Sequence, residues 1–185
     1  MKVIIGLGNP GKEYKNTRHN AGFLFIDALA KKLGLDFKLN KKLKAKIAKD
    51  ANWLLIKPQT FMNLSGQAVR AVLDYYLSPD DYLNLKPLSQ LPTNNYLLLA
   101  HDDLDLPMGE YKLIFAKSPK EHNGVLSVEK YLGTDEFWRL RVGIDGRLPS
   151  WRKQTSGADY VLSSFSKDEL EILNQLIQKV ITQLQ

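Results

Sequence analysis

The spacing of apolar residues along the chain switches repeatedly between two periods. Short apolar runs at residues 2–5, 53–56 and 96–100 are each closed by Gly, Pro or acidic residues, and they predict buried strands. Residues 110–115 and 138–144 are further strand candidates. Between these runs the period becomes helical. Ala21–Leu33 carries Phe23, Ile26, Leu29, Ala30 and Leu33 on one stripe, and Gly34 suits its C-terminal cap. A second helix starts at Ser65, read as its N-cap, with Ala68, Val69, Val72, Leu73 and Tyr76 as the apolar face. A third spans about residues 124–132. Ser166 opens the last helix, and Glu169 three residues on gives capping-box spacing. Its stripe, from Leu170 and Leu173 to Ile181 and Leu184, reads as core packing rather than a partner surface.

The basic stretch 41–49 alternates weakly, as a strand or an exposed hairpin arm would. Residues 78–95, rich in Pro, Asn, Asp and Ser, read as a long loop with one helical turn. Strands alternating with helices predict one α/β domain over residues 1–185: a mostly parallel, mixed, twisted sheet flanked by helices. There is no internal repeat, low-complexity segment or clear linker.

Composition narrows the chemistry. A chain of 185 residues with 44% hydrophobic content can bury a sizeable core. With no cysteine, disulfides, thiolate metal sites and cysteine nucleophiles are excluded. The N-terminal apolar run is too short for a signal peptide, and no segment reaches the ~20 apolar residues of a membrane helix, so a cytoplasmic protein is expected. A net charge of +6 agrees with a polyanionic partner such as nucleic acid, although many proteins carry such a charge without one.

Five clusters could carry chemistry. Gly6, Gly8 and Gly11 spell G-x-G-x-x-G after a strand, the dinucleotide fingerprint. Pro10 precedes the third glycine and residues 12–20 lack a helical stripe, so a tight turn aiming Asn9 into a cleft explains them better than a nucleotide site. Asp27, at ribose-contact spacing, falls inside a helix. Tyr14 with Thr17-Arg18-His19-Asn20 precedes that helix; a histidine there is often only a hydrogen-bonded surface group. In Lys57-Pro-Gln-Thr-Phe-Met-Asn-Leu-Ser-Gly66, Phe61 and Met62 could be core staples, but Asn63 lacks such an excuse. His101-Asp-Asp-Leu-Asp-Leu-Pro107 follows a strand, where ligands gather in open sheets. Asp102, Asp103 and Asp105 exceed what a turn needs, and one could orient a histidine. His122-Asn123-Gly124 marks another junction, with Asn123 a candidate amide ligand. No serine sits in a G-x-S-x-G elbow. Metal hydrolysis through His19, His101, His122 and the Asp cluster is the natural rival, but paired HxH or HExxH spacing is absent, so no metal and no cofactor are expected.

These stretches in this order, with Arg139-Leu-Arg-Val-Gly-Ile144, resemble the bacterial-type peptidyl-tRNA hydrolases, from Lys2 to about Phe165 with a similar closing helix. The resemblance implies hydrolysis, without a metal, of the ester joining peptide to tRNA. His19 would be the general base and Asp102 the acid orienting it. Asn9 would stand where N-blocked and free aminoacyl ends are told apart. Tyr14, Phe61, Met62, Asn63 and Asn123 would hold the peptide and terminal adenosine, and Lys112 with Arg141 the tRNA 5′-phosphate. A monomer needing no membrane partner is expected. The chain departs from the family at residues 116–121, where a glycine-rich loop is usual, at Ile114 in place of a second lysine, and in a longer loop at 84–95. The rivals are a noncatalytic RNA-binding protein on the same scaffold and a nucleotide-dependent oxidoreductase.

Overall fold

The computed structural model describes residues 1–78, 96–116, 121–147 and 156–184. Its strands are β1 (Lys2–Gly6), β2 (Lys38–Asn40), β3 (Ala45–Lys49), β4 (Trp53–Pro58), β5 (Tyr96–Pro107), β6 (Tyr111–Phe115) and β7 (Trp138–Asp145). Its α-helices are α1 (Ala21–Leu33), α2 (Ser65–Tyr76), α3 (Asn123–Leu132), α4 (Gly157–Leu162) and α5 (Lys167–Leu184). All seven strands form one sheet in the order β2-β3-β4-β1-β5-β7-β6. The central four are parallel; β3 and β6 run against them, and β2, antiparallel to β3, runs with them at the edge. This is the mixed sheet with a parallel centre that the sequence predicts. Tight turns join β2, β3 and β4, and such turns allow only antiparallel neighbours. The turn after β5 likewise reverses the chain into β6, which lies antiparallel on the outside of β7.

Alternation along the strands divides the core into two layers. Ile4, Leu98, Ala100, Leu140 and Val142 face α1 and α5. Val3, Ile5, Leu97 and Leu99 face α2 and α3. Gly34 ends α1 with φ 69°, as its position predicts. Ser166 and Glu169 exchange the two hydrogen bonds of a capping box, at 2.7 and 3.1 Å.

Ser65 is not the cap of α2. A 3₁₀ turn over Met62–Leu64 leads into the helix, and Leu64 holds the N-cap position with no side-chain bond. Ser65 and Gly66 are buried where α2 crosses α3; the Gly66 N–H donates to Ser127 Oγ at 3.0 Å, and a Cβ on Gly66 would lie 2.1 Å from the Ser127 carbonyl oxygen. The 41–49 stretch resolves into a hairpin, with β3 as one arm and residues 41–44 as its turn. Helix α4 has no counterpart in the predicted elements: it is six residues long and buries only Tyr160, too little for a legible stripe. The loops expected at 79–95 and 117–120 lie outside the described residues. No described helix is long and apolar enough to cross a membrane.

Candidate active site

β1 stops at Gly6 whereas β5 continues to Pro107, so His101, Asp102 and Asp103 lie on a strand that overshoots its neighbour. The acid cluster thus belongs to the strand itself, not to a loop after it. The chain beyond β1 fills the space above. Gly6 and Gly8 are packing contacts: a Cβ would come within 2.4 Å of the Gly22 carbonyl oxygen or 2.5 Å of the Phe23 ring. Gly11 has φ 124° and ends no helix, and Asp27 is paired with Lys57 at 2.6 Å. The glycine pattern therefore serves a tight approach of β1 to α1 rather than a pyrophosphate.

Thr17 leads into a 3₁₀ turn at Arg18–Asn20. Three residues make one turn of such a helix, so consecutive side chains diverge by about 120°. Asn20 turns to the Asn9 backbone, accepting from its N–H at 2.8 Å and donating to its carbonyl at 3.0 Å. His19 turns into the cleft. Its Nδ1 lies 2.9 and 3.0 Å from the two oxygens of Asp102. A carboxylate only accepts, so Nδ1 carries the proton and Nε2 keeps its lone pair. Burial alone would lower the His19 pKa; the Asp102 charge and hydrogen bond outweigh it, and the net shift is upward from the usual 6.5. Burial would raise the Asp102 pKa, but the two imidazoles hold it well below the usual carboxylate range.

The second imidazole is His122, weighed in the sequence only as a metal ligand. Its Nε2 lies 3.0 Å from Asp102 Oδ1. Its Nδ1 accepts from the Gly124 and Val125 N–H groups at the start of α3, at 3.2 and 3.3 Å. Amide N–H groups only donate, so the His122 proton is on Nε2. His19, Asp102 and His122 present donor atoms within 4.8 Å of one another, a spacing that could hold a cation. A metal at Nε2 would force the proton onto Nδ1, against two N–H donors, so this donor set does not fit an ion. His101 is fully buried, donates from Nδ1 to the Asp102 carbonyl at 2.7 Å, and has its pKa drawn down to about 3 by burial and then by His122.

Asn9 is held just as firmly. The Met62 N–H donates to its Oδ1 at 2.8 Å, which fixes the amide orientation and leaves Nδ2 to donate elsewhere. Asn9, Tyr14, Phe61, Met62, Asn63 and Asn123 all line one cleft of about 910 Å³ with His19 and Asp102. Tyr14 and Phe61 meet edge to face at 6.3 Å. Lys112 and Arg141 stand apart from that lining. They are cross-strand neighbours on β6 and β7, and Arg141 Nε donates to Asp103. The structure thus gathers eight of the ten predicted site residues in one cleft. Sequence reasoning missed His122 as a partner of Asp102, and Arg18 and Asn20 as flanking ties; their position beside His19 in one motif was the available signal.

No Ser, Thr or Cys is among the described residues that line the cleft. An imidazole with a free lone pair, backed by a carboxylate on an α/β sheet, has the chemistry of a general base. A family model described as peptidyl-tRNA hydrolase matches residues 3–185. Peptidyl-tRNA hydrolases of Desulfitobacterium hafniense and Bacillus subtilis are each 41% identical to this chain; each match spans 98% of it, with 89% and 88% of the respective relatives. The crystal structure of peptidyl-tRNA hydrolase from Acinetobacter baumannii superposes with a TM-score of 0.79 at 30% identity, covering 100% of this chain and 86% of that one. The chain belongs to the peptidyl-tRNA hydrolase family. Neither the noncatalytic nor the oxidoreductase alternative is favoured.

Proposed function

We propose that this enzyme hydrolyses the ester between peptide and tRNA in peptidyl-tRNA, freeing tRNA for further translation, and that it does so as a cytoplasmic monomer without a metal. The carrying observation is the His19–Asp102 pair, whose unprotonated nitrogen shares a cleft with the fixed Asn9 amide. His19 Nε2 takes a proton from water as the oxygen attacks the ester carbonyl. Asp102 stabilises the imidazolium formed, and that imidazolium returns the proton to the departing ribose oxygen. Positioned general-base catalysis of this kind supplies roughly 10²–10⁴-fold. Asn63 or a backbone N–H donates to the oxyanion, worth about 3 kcal/mol per donor.

Asn9 Nδ2 donates to the peptide next to the ester and so separates N-blocked from free aminoacyl ends. Tyr14 and Phe61 offer aromatic surface, and Asn63 and Asn123 amide contacts, for the terminal adenosine and peptide. Lys112 and Arg141 take the 5′-phosphate; Asp103 holds Arg141 through Nε. The test is release of peptide from N-acetylated against free aminoacyl-tRNA. Hydrolysis of the N-acetylated form by the wild type and its loss in His19→Ala are expected; equal turnover by His19→Ala would reject the assignment.

A further inference from the structure

Of the three side chains on the Arg18–Asn20 turn, Arg18 takes the direction away from the cleft. It is 7% exposed and the hub of a contact set that the chemistry above does not use. One terminal nitrogen donates to Ser163 Oγ at 2.8 Å and to the Ser164 carbonyl at 2.6 Å. The other donates to both Glu169 oxygens, at 2.6 and 2.7 Å. The guanidinium carbon lies 4.3 Å from the Tyr160 ring centroid and 5.2 Å from that of Phe165. The backbone repeats the junction: the Arg18 N–H donates to the Ser163 carbonyl at 3.0 Å, and the Phe165 N–H to the Asn16 carbonyl at 2.9 Å. Glu169 also closes the capping box of α5. One arginine therefore joins the residue before His19 to the end of α4 and the start of α5.

Helix α4 is itself a wall of the cleft, through Gly157, Ala158, Val161 and Leu162. A displaced guanidinium would shift the base and that wall together. From this geometry we infer that Arg18 is a positioning residue for the hydrolysis, holding the His19 imidazole in register with Asp102 and the α4 wall at its working distance. The inference rests on the function proposed above. A lysine could keep the charge, but neither the planar fork that serves Glu169 and Ser164 together nor the stacking between two rings. The groups facing the imidazole are Asp102 from β5 and His122 from the start of α3, its ring centroid 5.1 Å away; Arg18 and Glu169 lie behind the turn.

The test compares wild type with Arg18→Lys, which retains the cation, on N-acetylaminoacyl-tRNA across pH. We expect kcat to fall roughly 10- to 100-fold, since small displacements of a positioned group cost that much. KM for the tRNA should stay within about 2-fold, because the phosphate contacts are untouched. The acid limb of kcat/KM should move to lower pH as the Nδ1–Asp102 contact loosens. A lowered melting temperature with wild-type kcat and an unmoved limb would overturn the inference. Glu169→Gln, which keeps an acceptor for the Ser166 N–H, carries the same readouts with a smaller loss. If Arg18→Lys does not fold, unchanged kcat and limb in Glu169→Gln overturn it. An inactive wild type would defeat the proposed function; an active wild type with indifferent variants defeats only the role of Arg18.

Discussion

The His19 turn and the Lys112–Arg141 pair lie toward the same end of the sheet, but they are built differently. The turn is tied in three directions, through Arg18 to residues 163–169, through His19 to Asp102 and through Asn20 to Asn9. The basic pair sits on a two-strand edge ladder; Arg141 has Asp103 as its ion-pair partner, and Lys112 is exposed. The contrast follows from the work proposed for each. Proton transfer needs geometry fixed before the substrate arrives, whereas a phosphate needs charge that can follow a mobile anion. A third arrangement on β7 marks the other extreme. Arg139, two residues before Arg141, is fully buried, donating to Glu129 at 2.6 Å and to the carbonyls of Asp135 and Phe137. The same residue type on one face of one strand is a core strut at one position and holds Asp103 of the cleft lining at the next.

Substitutions on the two sides should separate chemistry from binding. His19→Ala should have the largest effect, cutting kcat by roughly 10²–10⁴-fold while tRNA affinity, read by filter binding, stays near wild type. A matching loss of affinity would erase the distinction. Asp102→Asn should come next, at about 10²-fold in kcat. It also carries a pH signature. The Asp102 carboxylate raises the His19 pKa, so wild-type activity should rise as pH climbs through a value above 6.5. Without the carboxylate that limb should move to lower pH; a limb that stays put would mean Asp102 does not set the base. The linkage to stability has the opposite slope. A histidine with a raised folded-state pKa stabilises fully below its unfolded value near 6.5, and that contribution is lost as pH rises through the folded one.

Lys112→Ala should raise KM several-fold with kcat preserved, and should lower the salt slope of tRNA binding by about 1. An altered kcat would place this edge closer to the chemistry than its geometry does. Lys112 is a cleaner probe than Arg141, whose removal leaves the buried Asp103 carboxylate without its partner. The smallest effect belongs far from either side. Gly34→Ala places a side chain in open space but at φ 69°, so it should cost about 1 kcal/mol in a denaturant melt and leave kcat unchanged.

Elements whose local pattern agrees with their burial were legible in the sequence: the apolar cores of β1, β4 and β5, the stripe of α5 and its capping box. By sequence, residues 101–107 lie after the strand, because three aspartates contradict strand propensity. β5 nevertheless carries them, because His101, Asp102 and Asp103 pair with β7 beyond the end of β1. The Ser65 assignment failed because a serine at a helix start looks like a cap even where its neighbour Gly66 is needed for a close helix crossing. The residues that share the cleft are marked in the sequence by the order of short motifs. What the motifs could not supply was direction, and direction separates Arg18, His19 and Asn20, three adjacent letters with three unrelated targets.

The bond from Arg18 to Glu169 spans 151 positions. A chain emerging from the ribosome amino end first presents His19 and Asp102 long before the segment that Arg18 contacts. An enzyme that attacks peptidyl-tRNA is itself a peptidyl-tRNA until its release. With Glu169 written so much later, a growing chain cannot assemble the Arg18 contact set until the closing helix has been made.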